Sequence, residues 1–148
     1  MKVFIIEDDD FKSKSLNDFF VGKFREVSIT NSTSLVDAIS NINDHVYDLI
    51  LVDMAIPSHP IRPGEGAPMS LLTGGLDVLL ELKALNRSDP CIIVTQYYEI
   101  EICGELYSMH SASDAIKDLL DCEVLGCVGY MEGSNDWQVK INELLEKI

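Results

Sequence analysis

Five short apolar runs recur along the chain, most of them followed by a segment of helical spacing, and this alternation constrains the fold more than any other feature. "KVFII" (2–6), "EVSIT" (26–30), "LILV" (49–52), "CIIVT" (91–95) and "VLGCVGYM" (124–131) read as strands. A run such as "LILV", apolar at every position, belongs to a strand buried on both faces, as parallel sheets require. After the first strand Phe11, Ser15, Leu16, Phe19 and Phe20 recur at helical spacing, with polar Lys12, Lys14, Asn17 and Asp18 between them. Ser34 followed three residues later by Asp37 resembles a capping box, and Leu35, Val36, Ile39 and Ile42 give the next helix its apolar face. "LDVLLELKAL" is a third helix, and residues 97–120 predict two helical pieces interrupted around "CGELYSMHSAS". The last helix carries Trp137, Ile141, Leu144, Leu145 and Ile148 on one stripe and starts at Ser134 or Asn135.

Five β-α units without repeats or a domain linker predict one α/β domain over residues 1–148. The expected fold is a flavodoxin-like, doubly wound, five-stranded parallel sheet of order 2-1-3-4-5, with helices on both faces. Periodicity alone leaves another doubly wound order open. Two segments are longer than such a domain needs. One is the loop at about 56–75, "IPSHPIRPGEGAPMSLLTGG", and the other is the fourth-helix region at about 96–122. The "GEGAP" inside the first follows no strand and opens no helix, so it reads as turn chemistry and not as a phosphate loop.

The formal charge of −14, from 25 acidic and 11 basic residues, repels phosphate backbones and anionic lipid, which argues against direct nucleic-acid or membrane binding. No segment reads as targeting or membrane-spanning, because the opening apolar run is only four residues long. Cys91, Cys103, Cys122 and Cys127 fall outside any paired-ligand spacing. Cys91 and Cys127 therefore read as core residues, a zinc site from Cys103, His110, Cys122 and Cys127 is disfavoured, and a reduced, cytoplasmic setting is the default.

In the expected order strands 1 and 3 are neighbours about 4.8 Å apart and end at the same rim. Glu7, Asp8 and Asp9 follow the first and Asp53 follows the third, so carboxylates converge there. Like charges that close are costly unless neutralised, and Mg²⁺ is the economical counter-ion. Capping of the next helix accounts for Asp9 or Asp10. It accounts poorly for Asp8 and Asp53, which come from two independent strand ends. With a cation present, Asp53 can attack phosphorus and form an acyl phosphate, and Thr95, at the end of the neighbouring strand, stands within reach of a phosphoryl oxygen.

With these residues in place the chain resembles the receiver domain of two-component response regulators over nearly its whole length. The resemblance rests on "IIEDD", "LILVDMAIP" with Pro57 four positions after Asp53, "GGLDVLLELK", "IIVT" ending at Thr95, and "GYM" around Tyr130. It implies that Asp53 is the phosphoacceptor, that Glu7, Asp8, Asp53 and the backbone carbonyl of Ala55 hold Mg²⁺, that Thr95 is the switch hydroxyl and Tyr130 the switch aromatic. It further implies a sensor histidine kinase or phosphotransfer protein as donor. Output would be by protein contact or homodimerisation through the face of helix 4, strand 5 and helix 5, with no enzymatic turnover of its own beyond self-phosphorylation and autodephosphorylation. An ordinary strand residue is the alternative for Tyr130.

One departure is chemical. Receivers usually carry lysine three residues after the switch aromatic, whereas "GYMEGS" puts Gly133 there, beside Glu132. Arg62, in the long loop, is a candidate substitute. Gln96, in place of a small residue, is expected to narrow access. The rival function is a pseudo-receiver, a protein-interaction module of the same fold that switches without phosphorylation. A phosphohydrolase is disfavoured because Ala55 stands where such enzymes place a second acid.

Overall fold

Within each central strand, successive residues face opposite helical layers, so an unbroken apolar run is what two covered faces demand. The computed structural model describes residues 1–66 and 68–148. Its elements are β1 (Lys2–Ile6), α1 (Asp10–Lys23), β2 (Ser28–Ser32), α2 (Leu35–Asp44), β3 (Leu49–Val52), β4 (Ile56–Pro57) and β5 (Ser70–Leu71). They continue with α3 (Gly74–Ala84), β6 (Cys91–Thr95), β7 (Glu99–Ile102), β8 (Glu105–Ser108), α4 (Met109–Leu120), β9 (Gly126–Gly129) and α5 (Asp136–Leu145). The main sheet is parallel throughout, in the order β2-β1-β3-β6-β9. This is the expected 2-1-3-4-5 arrangement.

Val3, Ile5, Leu49, Leu51, Ile92 and Val94 pack with Leu16 and Phe20 of α1 and Trp137 and Ile141 of α5. Phe4, Ile6, Ile50, Val52 and Ile93 pack on the opposite side with Ala38 and Ile42 of α2, Leu79 and Leu82 of α3, and Ile116 of α4. Each fully buried side chain of this size contributes about 1.5–3 kcal/mol. The two layers together fix β1, β3 and β6 as the rigid centre. Cys91 and Cys127 are buried as expected.

The elements differ from expectation in three places. β2 begins two residues later than predicted, because its ladder with β1 runs from Lys2↔Ser28 to Ile6↔Ser32 and carries the strand through polar Asn31 and Ser32. The long loop contains a short antiparallel pairing, Ile56↔Leu71 and Pro57↔Ser70, which ties its two ends together. The segment expected as a helical piece before α4 is instead the hairpin β7-β8, paired from Glu99↔Ser108 to Ile102↔Glu105. Cys103 (φ 53°) and Gly104 (φ 82°) form its turn. Two consecutive positive φ values match the twist of a two-residue hairpin. Ile100 and Ile102 are buried on the α4 side while Glu99 and Glu101 face solvent, the two-residue period of a half-buried strand.

Gly75, in the first turn of α3, sets how closely that helix approaches the end of β3. A Cβ there would stand 2.6 Å from the Asp53 carbonyl oxygen and 3.0 Å from the Met54 Cα, both unyielding backbone atoms. Helix propensity alone favours alanine over glycine by about 1 kcal/mol. The clash is expected to outweigh it: Gly75→Ala should lower stability by about 1–3 kcal/mol, at about 2–4 °C of melting temperature per kcal/mol. An unchanged or raised melting temperature would show that α3 does not pack this tightly on the Asp53 backbone.

Candidate functional site

The register that buries β1 and β3 also positions their first polar successors. Ile6 pairs with Val52, so Glu7 and Asp53 emerge at the same level of the sheet. The Asp53 N–H donates to Ile6 O at 3.0 Å, and the Glu7 N–H donates to Ser32 O at 2.9 Å. Both side chains are therefore held at the sheet rim, Glu7 3% and Asp53 8% exposed. Glu7, Asp8 and Asp53 each bring a carboxylate oxygen to within 4.8 Å of the others.

The turn after Glu7 is built by the acidic run itself. The Asp9 N–H donates to Glu7 Oε1 at 2.9 Å, and Asp9 Oδ1 accepts from the Lys12 N–H at 2.7 Å as the N-cap of α1. This cap sets the phase of α1 and turns Lys12 inward, in line with buried Leu16 and Phe20, while Phe11 is exposed. The sequence reading of that helix is corrected here: Phe11 does not belong to its buried face, and Lys12 does.

Lys12 is 1% exposed. Its Nζ lies 2.5 Å from Glu7 Oε2 and 3.0 Å from Asp53 Oδ1 and donates to Val94 O at 2.7 Å. A lysine is almost never buried this completely unless paired. The ammonium also lies 5.9 Å from the Tyr130 ring centroid, within cation–π range. The two carboxylate contacts are close ion pairs without hydrogen-bond alignment, so Glu7 Oε2 and Asp53 Oδ1 accept no formal hydrogen bond. Buried, hard oxygen acceptors of this kind, together with Asp8, fit a divalent cation such as Mg²⁺.

Burial pushes the Glu7 carboxyl up to about 7; Lys12 pulls it down and Asp53 adds to the rise. Burial also raises the Asp8 carboxyl, although the residue as a whole is exposed. A cleft of about 400 Å³ opens over the cluster, lined by these groups with Ala55 and Ser70 from the segment after β3 and Gln96 and Tyr97 from the segment after β6. Among the described residues, Lys12 is the one basic side chain lining it. Arg62, the candidate substitute in the long loop, is exposed and is not among the described residues lining the cleft.

Thr95 lies at the end of β6, completely buried, and its Oγ1 accepts from the Tyr97 N–H at 3.2 Å. It does not line the cleft, which Gln96 and Tyr97 reach instead. Tyr130 follows β9, and its N–H donates to Thr95 O at 2.8 Å. Its ring is buried 5.4 Å from Trp137, and its hydroxyl donates to Ser15 Oγ of α1 at 3.1 Å. Gly133 sits at φ 78°, a conformation that disfavours any side chain. Sequence reasoning missed Lys12 and Ser15. The available signal was the spacing of Lys12, Leu16 and Phe20, one position per helical turn on a single face.

No family model matches the chain. A curated relative does: the Detocs response regulatory protein DtcB of Vibrio alginolyticus is 33% identical over 149 residues, covering 97% of this chain and 99% of that protein. The chain belongs to the response regulator family. Solved structures agree on the fold. The CheY-like receiver domain protein from Methanospirillum hungatei superposes with a TM-score of 0.63 at 16% identity, covering 99% of this receiver and 94% of that chain. The Mn²⁺-bound form of response regulator Rcp1 gives 0.64 at 14% identity, covering 97% and 90%.

The raised Glu7 carboxyl makes a prediction for the metal-free receiver. An acid whose pKa is higher in the folded state favours folding fully below its ordinary value of 4.5, and that contribution is lost as pH rises through about 7. Denaturation in a chelator should show wild type losing on the order of 3 kcal/mol relative to Glu7→Gln between these limits. Parallel pH profiles for the two proteins would contradict the burial of an ionising Glu7.

Proposed function

We propose that this receiver takes a phosphoryl group on Asp53 from a phosphohistidine of a sensor histidine kinase or phosphotransfer protein, and signals by protein contact. The observation that carries it is the convergence of Glu7, Asp8 and Asp53 in one cleft beside a single ammonium. Glu7, Asp8, Asp53 and the Ala55 carbonyl would hold Mg²⁺. When bound, the cation supplies the positive charge that lets an anionic carboxylate and an anionic phosphoryl group approach.

The chain's own groups account for the rest. A carboxylate oxygen of Asp53 forms the bond to phosphorus as the P–N bond to the donor imidazole breaks, and the imidazole leaves with the bonding electron pair. The site is walled by backbone that the β1–β3 ladder holds rigid, so the nucleophile is positioned before the donor arrives. Thr95 Oγ1 already accepts from the Tyr97 N–H, which leaves its hydroxyl hydrogen to donate to a phosphoryl oxygen once Gln96 and Tyr97 move aside. Tyr130, hydrogen-bonded to both Thr95 and Ser15, would carry that movement toward α1 and toward the face of α4, β9 and α5. A cytoplasmic setting fits the response regulator relative and the free cysteines. No helix among the described residues is long and apolar enough to cross a membrane.

The second reading, a pseudo-receiver that binds partners without phosphorylation, draws on one observation. Lys12 already offsets part of the charge of Glu7 and Asp53, so the site is not obliged to recruit a cation. Intact mass after incubation with acetyl phosphate separates the two. The phosphoacceptor function predicts one adduct of about 80 Da that requires Mg²⁺ and is absent from Asp53→Asn. A folded wild-type protein that gains no adduct and binds no beryllofluoride would favour the pseudo-receiver.

A further inference from the structure

The position from which receivers of this family usually present an ammonium is here an exposed glycine in a left-handed turn, next to Glu132. An acyl phosphate on Asp53 would add further negative charge to a pocket that already holds Glu7 and Asp8. Such a product needs a cation besides the metal, close enough to contact the phosphoryl oxygens directly.

We infer that Lys12, from the first turn of α1, is the phosphoryl-binding cation of this receiver. The inference rests on Asp53 being the phosphoacceptor. Three independent features of the structure support it. The bond from Lys12 Nζ to Val94 O anchors the ammonium at the edge of β6, one residue before Thr95, while its contact with Asp53 Oδ1 reaches the end of β3. The ammonium thus lies directly against the acceptor carboxylate inside the cleft and is tied to the C-terminal end of β6, so a phosphoryl group on Asp53 would form beside it. Second, no other basic side chain among the described residues lines the cleft. Third, the capping of α1 by Asp9 and the burial of Leu16 and Phe20 hold the lysine's stem in this orientation without help from the anions.

Its role in phosphotransfer needs no proton movement. Lys12 keeps its charge, releases Asp53 Oδ1 as that carboxylate becomes an ester-like oxygen of lower charge, and donates to a phosphoryl oxygen instead. Its bond to Val94 O and its contact with Glu7 remain. A compact ammonium on a flexible stem suits such a change of partner over a short distance. The same helix carries Ser15, whose hydroxyl accepts from Tyr130, so the cation and the side-chain partner of the switch aromatic lie on one element.

The test compares wild type, Lys12→Met and Lys12→Gln for the rate of adduct formation from acetyl phosphate with Mg²⁺ and for adduct lifetime, with thermal melts confirming folding. A second measurement follows the Lys12 side-chain ammonium resonance of wild type as beryllofluoride and Mg²⁺ are added. Adduct formation is expected to slow at least tenfold in both variants, and the ammonium resonance is expected to shift. Variants that react as fast as wild type, or faster because Asp53 has been unmasked, would overturn the inference while leaving the phosphoacceptor intact. An ammonium resonance unmoved by bound beryllofluoride would overturn it even if neither variant folds. Wild type that forms no adduct and binds no beryllofluoride would instead overturn the phosphoacceptor reading, and this inference with it.

Discussion

The site depends on one buried ammonium. Glu7 and Asp53 are brought together by the ladder that pairs Ile6 with Val52, and both are buried where they meet. Lys12, with its bond to Val94 O and its contacts to both carboxylates, makes their proximity tolerable. Breaking a buried pair of this kind leaves an uncompensated charge and typically costs about 3–5 kcal/mol. The ladder sets the geometry of the rim, the Asp9 cap sets the phase of α1, and together they bring the Lys12 charge against both carboxylates.

This arrangement separates two roles that a single segment often combines. Tyr130 continues β9 and reaches Thr95 through the backbone, but the cation comes from the opposite end of the chain. Beyond Tyr130 the chain turns outward, and Met131, Glu132 and Gly133 stand exposed. The hairpin β7-β8 adds a structured projection between β6 and α4, close to Gln96 and Tyr97 at the cleft. Glu99, Glu101 and Glu105 give it an acidic outer surface.

Much of the fold was legible because strand burial writes itself into composition. Runs such as "LILV" and "CIIVT" are buried on both faces, as central parallel strands are, and in the order 2-1-3-4-5 the carboxylates after the first and third strands meet. The first helix differs for a physical reason: a lysine scores as polar in any helical pattern, so its spacing with Leu16 and Phe20 carries weight only once the partners Glu7, Asp53 and Val94 are known. The hairpin was misread because Cys103 and Gly104 lack the usual asparagine-glycine turn signature, although the alternation of Glu99, Ile100, Glu101 and Ile102 carried the two-residue period. Arg62 was a candidate for the missing cation because a lysine inside a helical pattern gave no sign of its burial beside Asp53.

The most direct measurement is a crystal structure of the protein with Mg²⁺ and beryllofluoride on Asp53, read for the partners of Lys12 Nζ. The account predicts a fluoride within hydrogen-bond distance, about 2.7–3.2 Å by analogy with oxygen acceptors, with the bond to Val94 O retained. A Lys12 ammonium still on Asp53 Oδ1 and Glu7 alone, with the fluorides neutralised by the metal and Thr95, would contradict it.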